Sequence, residues 1–288
     1  MIQLKNDLLK IGISPLGAEL RSIIHQQHDI NYLWTGDTRF WGKFAPVLFP
    51  IVGALKEDSY IFDGSTFSLG RHGFARDKEF TLLSNDETIA TFELNSDAET
   101  LRRYPFEFIL RITYRLQNDT LITTYHVMNK SEGDLYFSIG AHPAFSIPIG
   151  EGLRFEDYYL EFETPEITGR WPLENNLIGQ APLPLLNHEQ KLPLNHDLFR
   201  SDAIVLKELR STSVSLRSDK SERGITCHFE GFPYLGIWSA PEAPFICIEP
   251  WCGLADSVDH NQQLTEKEGI ISLGKNKHWE RSFSLRFF

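Results

Sequence analysis

Cysteine is scarce in this sequence. The 288 residues include three cysteines, Cys227, Cys247 and Cys252, and an odd number this small does not form a disulfide framework. The first residues, from Met1 to Asp7, carry no apolar signal core. Because proteins without disulfides are typical of reducing compartments, we expect a cytoplasmic protein.

Long hydrophobic runs and excess positive charge are missing as well. No apolar run approaches the ~18 residues that a membrane-spanning helix needs. The formal net charge is −11, whereas nucleic acids and anionic membrane surfaces attract clusters of Lys and Arg. The composition therefore argues against nucleic acid or a membrane as partner. A neutral small molecule fits this charge, and a phosphorylated one would need a local basic pocket.

The motifs of nucleotide cofactors and of metal sites are also absent. There is no Gly-x-Gly-x-x-Gly, no Gly-Lys-Ser/Thr phosphate loop and no Gly-x-Ser-x-Gly elbow. Among ten histidines, His25 and His28 lie in a polar loop with no third ligand nearby. Cys247 and Cys252 have the wrong spacing for a zinc knuckle. We predict a protein that uses neither metal nor cofactor.

What the chain does have is apolar alternation with a period of two. Between Leu121 and Val127, odd-numbered residues face one way and even-numbered residues the other. A Gln117-Asn118-Asp119 turn separates this run from Ile109–Leu116, which predicts a hairpin. Helical periodicity is limited to Asp37–Gly42 and Asp97–Tyr104.

Many short strands separated by turns are typical of sheets packed on sheets. We predict an all-β fold, a single large antiparallel β-sandwich formed by residues 1–288, with few short helical turns. The stretch Thr164–Asn195 is rich in Pro, Asn and Leu and poor in alternation. We interpret it as a long loop lying across the sandwich.

Two histidines interrupt this pattern. His72 stands between two arginines in Arg71-His72-Gly73-Phe74-Ala75-Arg76, on a turn where glycine allows the backbone to approach a ligand. A solvated surface turn explains this segment slightly better when it is taken alone. His142 follows small residues and precedes a proline that restricts its backbone. A core histidine bonded to a carbonyl is an equally good explanation.

Two carboxylates also stand out. Glu249 follows a strongly apolar strand and precedes Pro250-Trp251, so we expect it to be partly desolvated, which raises a carboxyl pKa. Sugar rings pack their C–H faces on indole, and Trp251 and Trp238 are candidates for such a wall or for core filler. Asp202, in Ser201-Asp202-Ala203, is more readily explained as a turn residue at the start of a strand.

At these residues the chain resembles the aldose 1-epimerase (galactose mutarotase) superfamily. It is most similar to the branch of bacterial mutarotase-like proteins often encoded with lactose genes. The resemblance extends essentially from end to end, and its order and spacing are more specific than any single motif. The segments that carry it are Ile13–Leu20, Pro46–Pro50, Arg71–Arg76, Gly140–Phe145 and Ile248–Trp251.

The resemblance implies a β-sandwich that holds a sugar in a cleft on a concave face. By position it makes His142 the general acid, Glu249 the general base and His72 a second histidine that stabilises charge on the ring oxygen. It assigns the sugar hydroxyls to Asp202, with Asp197 as the alternative. The implied activity is interconversion of the α and β anomers of a hexose, by a monomer or weak homodimer.

Two departures bear on the substrate. Galactose mutarotases have an arginine in the segment that here reads Phe49–Ala54, which contains none. His72 is followed by Gly-Phe-Ala-Arg, as in hexose-6-phosphate epimerases of the superfamily. A phosphosugar epimerase is therefore an alternative, with four candidate phosphate partners: Arg71, Arg76, Lys43 and Lys56.

Two other functions remain open at this stage. A glycoside hydrolase or lyase requires paired carboxylates, and Glu249 with Asp202 is the pair that the sequence offers. A non-catalytic carbohydrate-binding protein would bind sugar without accelerating its anomer exchange.

Overall fold

The protein, described by a computed structural model of residues 1–288, consists mainly of β-strands. The strands are β1 (Ile2–Lys5), β2 (Leu9–Ser14), β3 (Glu19–His25), β4 (Ile30–Asn31), β5 (Val47–Leu48), β6 (Ser59–Phe62), β7 (Ser65–Ser68), β8 (Thr81–Asn85), β9 (Ile89–Asn95), β10 (Phe108–Gln117), β11 (Thr120–Asn129), β12 (Leu135–Phe137), β13 (Ile139–Ala141), β14 (Ala144–Ser146), β15 (Tyr158–Arg170), β16 (Leu173–Glu174), β17 (Leu177–Ile178), β18 (Leu183–Pro193), β19 (Ile204–Leu206), β20 (Ser213–Ser218), β21 (Ser221–His228), β22 (Tyr234–Trp238), β23 (Phe245–Cys252), β24 (Ile271–Leu273) and β25 (His278–Phe287).

Helical structure is minor. One α-helix, α1 (Ala98–Arg103), begins at an Asp97 cap whose carboxylate accepts backbone N–H groups. Short 3-10 turns occupy Lys56–Asp58, Ala75–Asp77, Phe155–Asp157, His196–Phe199 and Leu264–Glu266. None of these helices has the length or the apolar character that crossing a bilayer requires.

The strands form three main sheets. A nine-stranded sheet has the order β18-β15-β20-β21-β25-β11-β10-β9-β8, a six-stranded sheet includes β19-β22-β23-β13-β5 with β14 beside β23, and a four-stranded sheet runs β1-β2-β3-β4. Three two-stranded ribbons, β12-β24, β16-β17 and β6-β7, complete the fold. Neighbouring strands pair antiparallel throughout. The predicted all-β antiparallel sandwich is confirmed.

The main core lies between these sheets. It combines apolar side chains of all three, such as Ile11 in β2, Leu121 in β11 and Ile248 in β23. The predicted hairpin is present as β10 and β11, and every second residue of β11 is buried. The residues of this one core range in sequence from Leu4 to Phe287. This continuity supports our prediction that residues 1–288 form a single domain, which stays a prediction.

Two local predictions were wrong. The expected loop Thr164–Asn195 instead contains most of β15, the ribbon β16-β17 and β18. Its prolines were misleading because β18 is the edge strand of the nine-stranded sheet, where a missing N–H breaks few ladder hydrogen bonds. Asp37–Gly42 forms turns without a helix, whereas Asp97–Tyr104 does contain α1.

A buried ion pair holds the segment that follows β23. Lys267 Nζ lies 2.7 Å from Asp256 Oδ1, and both side chains are fully buried. Asp256 also accepts a hydrogen bond from the Lys56 backbone N–H. Burial lowers the pKa of Lys267, and the facing carboxylate opposes that shift. Removal of either charge would therefore leave the other one buried without a partner.

We expect Asp256→Asn to lower the free energy of unfolding by roughly 3–5 kcal/mol, because the substitution leaves the buried Lys267 charge unpaired. Glu132→Gln is the matched control, since Glu132 pairs with Lys275 at an exposed site. The control should cost much less, because an exposed ion pair contributes little to stability. Urea unfolding followed by circular dichroism measures both. Equal, small losses in the two variants would contradict the prediction.

Candidate active site

Strand register brings His142 and Glu249 together. In the six-stranded sheet, Gly140 pairs with Trp251, and Ala144 pairs with Cys247. Continuing this register between the two points places His142 opposite Glu249. Directly opposed residues of antiparallel strands have neighbouring side chains. The interruption before Pro143 separates β13 from β14 without changing the register.

Glu249 lies on the face of β23 that is turned away from the main core. The whole strand is buried, and side chains alternate between its two faces. Ile246 and Ile248 enter the main core, whereas Cys247, Glu249 and Trp251 share the other face. Glu249 is 1% exposed, so its carboxyl group is almost completely desolvated. The sequence predicted only partial desolvation.

The two side chains form a close pair. His142 Nε2 lies 3.3 Å from Glu249 Oε2. Burial raises the pKa of Glu249 well above its usual value and lowers that of His142 to about 3. Because desolvation penalises both charged forms, we describe the contact as a neutral carboxyl group beside a neutral imidazole. The pair then holds one titratable proton in total.

Several polar atoms at this pair lack partners within the protein. His142 Nδ1, Glu249 Oε2 and the Trp251 indole N–H are buried and make no hydrogen bond. Buried polar atoms are normally paired with protein, water or a ligand. The three residues that carry these atoms line one cavity.

His72 approaches the pair from a separate loop. Its ring centroid lies 5.7 Å from that of His142, and the two planes are nearly perpendicular. The Gly53 N–H donates to His72 Nδ1 over 3.1 Å, and the Arg71 Nε–H donates to His72 Nε2 over 3.2 Å. Burial, with the charges of His142 and two arginines as smaller causes, lowers the pKa of His72 well below its usual value.

The loop that carries His72 has an unusual backbone. His72 has a φ of 68° and Gly73 a φ of 70°, so both residues are left-handed. A side chain at Gly73 would meet the Phe49 carbonyl oxygen at 2.3 Å. The His72 N–H also donates to the Gly53 carbonyl. These contacts tie the loop to the segment after β5 and hold a non-glycine residue in a conformation that is costly without support.

Asp202 reaches the same site through Arg71. Arg71 Nη2 lies 3.8 Å from Asp202 Oδ1, and Arg71 Nη1 donates to Asn176 Oδ1 over 2.9 Å. Asp197 is 70% exposed and pairs with Arg200 instead. The structure therefore brings Asp202, and not Asp197, to the cavity. Arg71 places a guanidinium group at the cavity.

The cavity has an inner and an outer part. Glu249, Trp251 and Asn176 line the inner part, and His72, His142, Arg71 and Trp238 line both. The outer part measures about 510 Å³, a size suited to a small-molecule ligand.

Tryptophan side chains differ in their accessibility to this cavity. Trp238 borders both parts. Trp251 is held tightly, since a side chain at Gly140 or Gly236 would overlap its indole ring. It therefore serves as a fixed wall of the inner part. Trp41, which the sequence did not single out, stacks on the imidazole of His142.

The candidate phosphate partners separate into two groups. Arg71 and Arg76 line the outer cavity. Lys43 pairs with Asp77 on the surface, and Lys56 donates to the His260 carbonyl. Neither lysine lines the cavity, so both were wrong as members of the site.

Three residues of the site were missed: Trp41, Asn176 and Arg200. Trp41 lies in the segment mistaken for a helix, and Asn176 lies in the turn of the ribbon mistaken for loop. Arg200 could have been found from the sequence, because it lies two residues before the candidate Asp202. The other two depend on long-range contacts that no local pattern reveals.

One cluster has the composition of a metal site. Donor atoms of His142, Cys247 and Glu249 lie within 4.8 Å of one another. Zinc binds cysteine as thiolate, but burial raises the pKa of the Cys247 thiol well above its usual value. A neutral thiol beside a neutral carboxyl group fits a metal ion poorly. Our prediction of no metal site therefore stays a prediction.

Comparison with known proteins identifies the family of this chain. The family model described as aldose 1-epimerase matches residues 1–271. The chromosomal and plasmid forms of protein LacX from Lactococcus lactis are each 40% identical over 282 residues, covering 94% of either chain.

Two solved structures are also similar. A galactose mutarotase related enzyme from Lactobacillus acidophilus has a TM-score of 0.95 and 35% identity, over 100% of this chain and 97% of its own. A galactose mutarotase-like protein from Lactobacillus casei has a TM-score of 0.92 and 33% identity, over 100% of both chains. The chain therefore belongs to the aldose 1-epimerase family of carbohydrate epimerases.

Proposed function

We propose that the protein interconverts the α and β anomers of a hexose, with His142 and Glu249 as its acid–base pair. The observation that carries the proposal is the contact of 3.3 Å between these two buried side chains, which lie at the inner end of a cavity whose outer part measures about 510 Å³. Ring opening requires one group that takes a proton and one that gives a proton. The pair provides both.

The reaction balances without any other reagent. One member of the pair removes the proton from the C1 hydroxyl while the C1–O5 bond breaks and C1–O1 becomes a carbonyl. The other member gives a proton to O5. Rotation about C1–C2 turns the other face of the carbonyl toward O5, and the reverse transfers close the ring. The pair ends with the number of protons with which it began.

Burial influences which side chain begins as the acid. We expected an imidazolium at His142 and a carboxylate at Glu249. Desolvation instead favours the neutral forms, in which the carboxyl group is the donor and the imidazole the acceptor. When the ring closes on the other face, the imidazolium returns a proton to O1 and the carboxylate takes the proton of O5, so the pair regains its neutral state.

His72, Arg71 and Asp202 would bind the sugar around this pair. His72 accepts hydrogen bonds from the Gly53 N–H and the Arg71 Nε–H, and would thereby hold the Arg71 guanidinium near a ring oxygen that develops negative charge. Asp202 is 28% exposed, so its carboxylate is accessible to sugar hydroxyls. Arg71 would hold Asp202 in place and border the same hydroxyls.

A sugar phosphate is the second candidate substrate. Arg71, Arg76 and Arg200 all line the outer cavity, although the protein as a whole carries a net charge of −11. Guanidinium groups suit phosphate oxygens because they donate in pairs. This arrangement supports the same ring-opening chemistry on a hexose that carries a phosphate away from C1.

We expect Glu249→Gln to reduce anomer exchange by at least about 10²-fold, because an amide cannot exchange a proton with O1 or O5 of the sugar. Polarimetry of freshly dissolved α-glucose or α-galactose measures the rate. Glu222→Gln, on the exposed side of β21, is the matched control and should retain activity. A Glu249→Gln variant with the wild-type rate would remove Glu249 from the mechanism.

The pH profile should reflect one shared proton. The pair is competent while it holds one proton, so activity should fall when a second proton binds His142, whose pKa is lowered to about 3. On the alkaline side, activity should fall as the pH rises through the raised pKa of Glu249. Polarimetric rates corrected for the buffer reaction give the profile. An acid midpoint near 4.5, the ordinary value for Glu, would contradict the neutral pair.

Arg200 distinguishes the two substrate classes. If the substrate is phosphorylated, Arg200→Gln should lower kcat/KM for glucose 6-phosphate by roughly 10-fold, the loss of one charge-assisted contact. The value for glucose should not change. Arg210→Gln, at an exposed residue outside the cavity, is the control. Wild-type turnover of glucose but not of glucose 6-phosphate would rule out the phosphosugar.

A further inference from the structure

Trp41 makes the most extensive aromatic contact with His142. The centroids of the indole and imidazole rings are 4.8 Å apart, and their planes differ by 25°, so the rings are stacked. Trp41 lies in the irregular segment between β4 and β5. It is only partly buried and lines the outer cavity. The acid–base pair is thus covered on one side by a residue from outside the sheet.

Hydrogen bonds fix this segment in place. The Trp41 N–H donates to the Asp37 carbonyl, and the buried Trp34 indole N–H donates to the Trp41 carbonyl over 2.9 Å. Trp41 also packs against Phe245, with ring centroids 5.8 Å apart. The position of its indole is therefore determined by contacts on several sides, which suits it to restrain a neighbouring ring.

The remaining sides of His142 are also occupied. Trp238 lies edge-on at 5.7 Å, and His72 lies edge-on at the same distance. Glu249 faces the Nε2 atom. Trp41 is the group that lies flat against the imidazole plane. Its removal would open one face of the ring to water and allow the ring to rotate.

We propose that Trp41 is a positioning residue, whose indole fixes the plane of the His142 imidazole and keeps water from one of its faces. For its effect on turnover this inference rests on the proposed function. The stacking itself does not depend on which sugar is the substrate. A misplaced acid or base is costly because proton transfer requires close alignment with the reacting oxygen.

The charge state of His142 provides a readout of this contact. The ionisable groups that face the ring are Glu249 and Cys247 from β23, His72, and the guanidinium groups of Arg71 and Arg76. None of them lies in the segment of Trp41. Replacement of Trp41 therefore leaves these groups in place and changes mainly the solvation of the imidazole.

The test compares Trp41→Ala with Trp41→Phe. Trp41→Ala should lower kcat by roughly 10- to 100-fold with a smaller change in KM, because the imidazole loses alignment. Its His142 pKa should rise by at least about one unit, since water reaches the ring. Trp41→Phe, which keeps a flat ring, should restore most of kcat and of the low pKa. Polarimetry gives kcat and KM.

NMR titration of the His142 ring protons, identified by their loss in His142→Asn, gives the pKa without any substrate. Trp279→Ala is the matched control, since Trp279 packs against Phe137 in β12 and does not line the cavity. It should leave the His142 pKa unchanged. Circular dichroism confirms that each variant is folded.

The inference is overturned if folded Trp41→Ala keeps kcat within about twofold and the wild-type His142 pKa, or if that pKa falls, as loss of a cation–π contact alone would produce. A wild-type protein without epimerase activity would overturn the proposed function only. In that case a raised pKa in Trp41→Ala would still support the stacking contact and its exclusion of water.

Discussion

The opposition of His142 and Glu249 across β13, β14 and β23 is the constraint on which the site depends. A slip of one residue would turn Glu249 into the main core and place Ile248 at the pair, since successive residues of a strand face opposite sides. Pairing of β14 with Phe245–Cys247 and of β13 with Trp251–Cys252 fixes the register on either side. The geometry of the acid–base pair is therefore a property of the sheet.

Burial then determines the chemistry of the pair. An exposed glutamate and histidine at this distance would exist as a weak ion pair. At 1% and 8% exposure, the cost of desolvating two charges favours the neutral forms. Under the proposed function, the transfer of the carboxyl proton to O5 and the transfer of the C1 hydroxyl proton to the imidazole are both reversed when the ring closes. This symmetry suits a reaction whose substrate and product differ only in the configuration at one carbon.

Much of this could be predicted from the sequence, and for identifiable reasons. Period-two alternation revealed the β10–β11 hairpin and the all-β class because burial on one face leaves a local pattern. His72, His142 and Glu249 were recognisable because polar residues in apolar or glycine-rich segments require an explanation. Trp41 and Asn176 were missed because their roles arise from contacts with residues far away in sequence. Lys43 and Lys56 were wrong for the same reason.

The elements that were hardest to predict from the sequence are also those that border the cavity. The ribbon β16-β17 and the Trp41 segment are short, irregular and held by a few hydrogen bonds, whereas the acid–base pair lies on a continuous sheet. Segments of this kind accept substitutions with little cost to the core. Under the proposed function, the sheet holds the acid–base pair and the surrounding segments contact the sugar. Arg71, Arg76 and Arg200, which line the outer cavity, also lie outside the six-stranded sheet, so under the proposed function the preference for a free or a phosphorylated hexose can change without altering the acid–base pair.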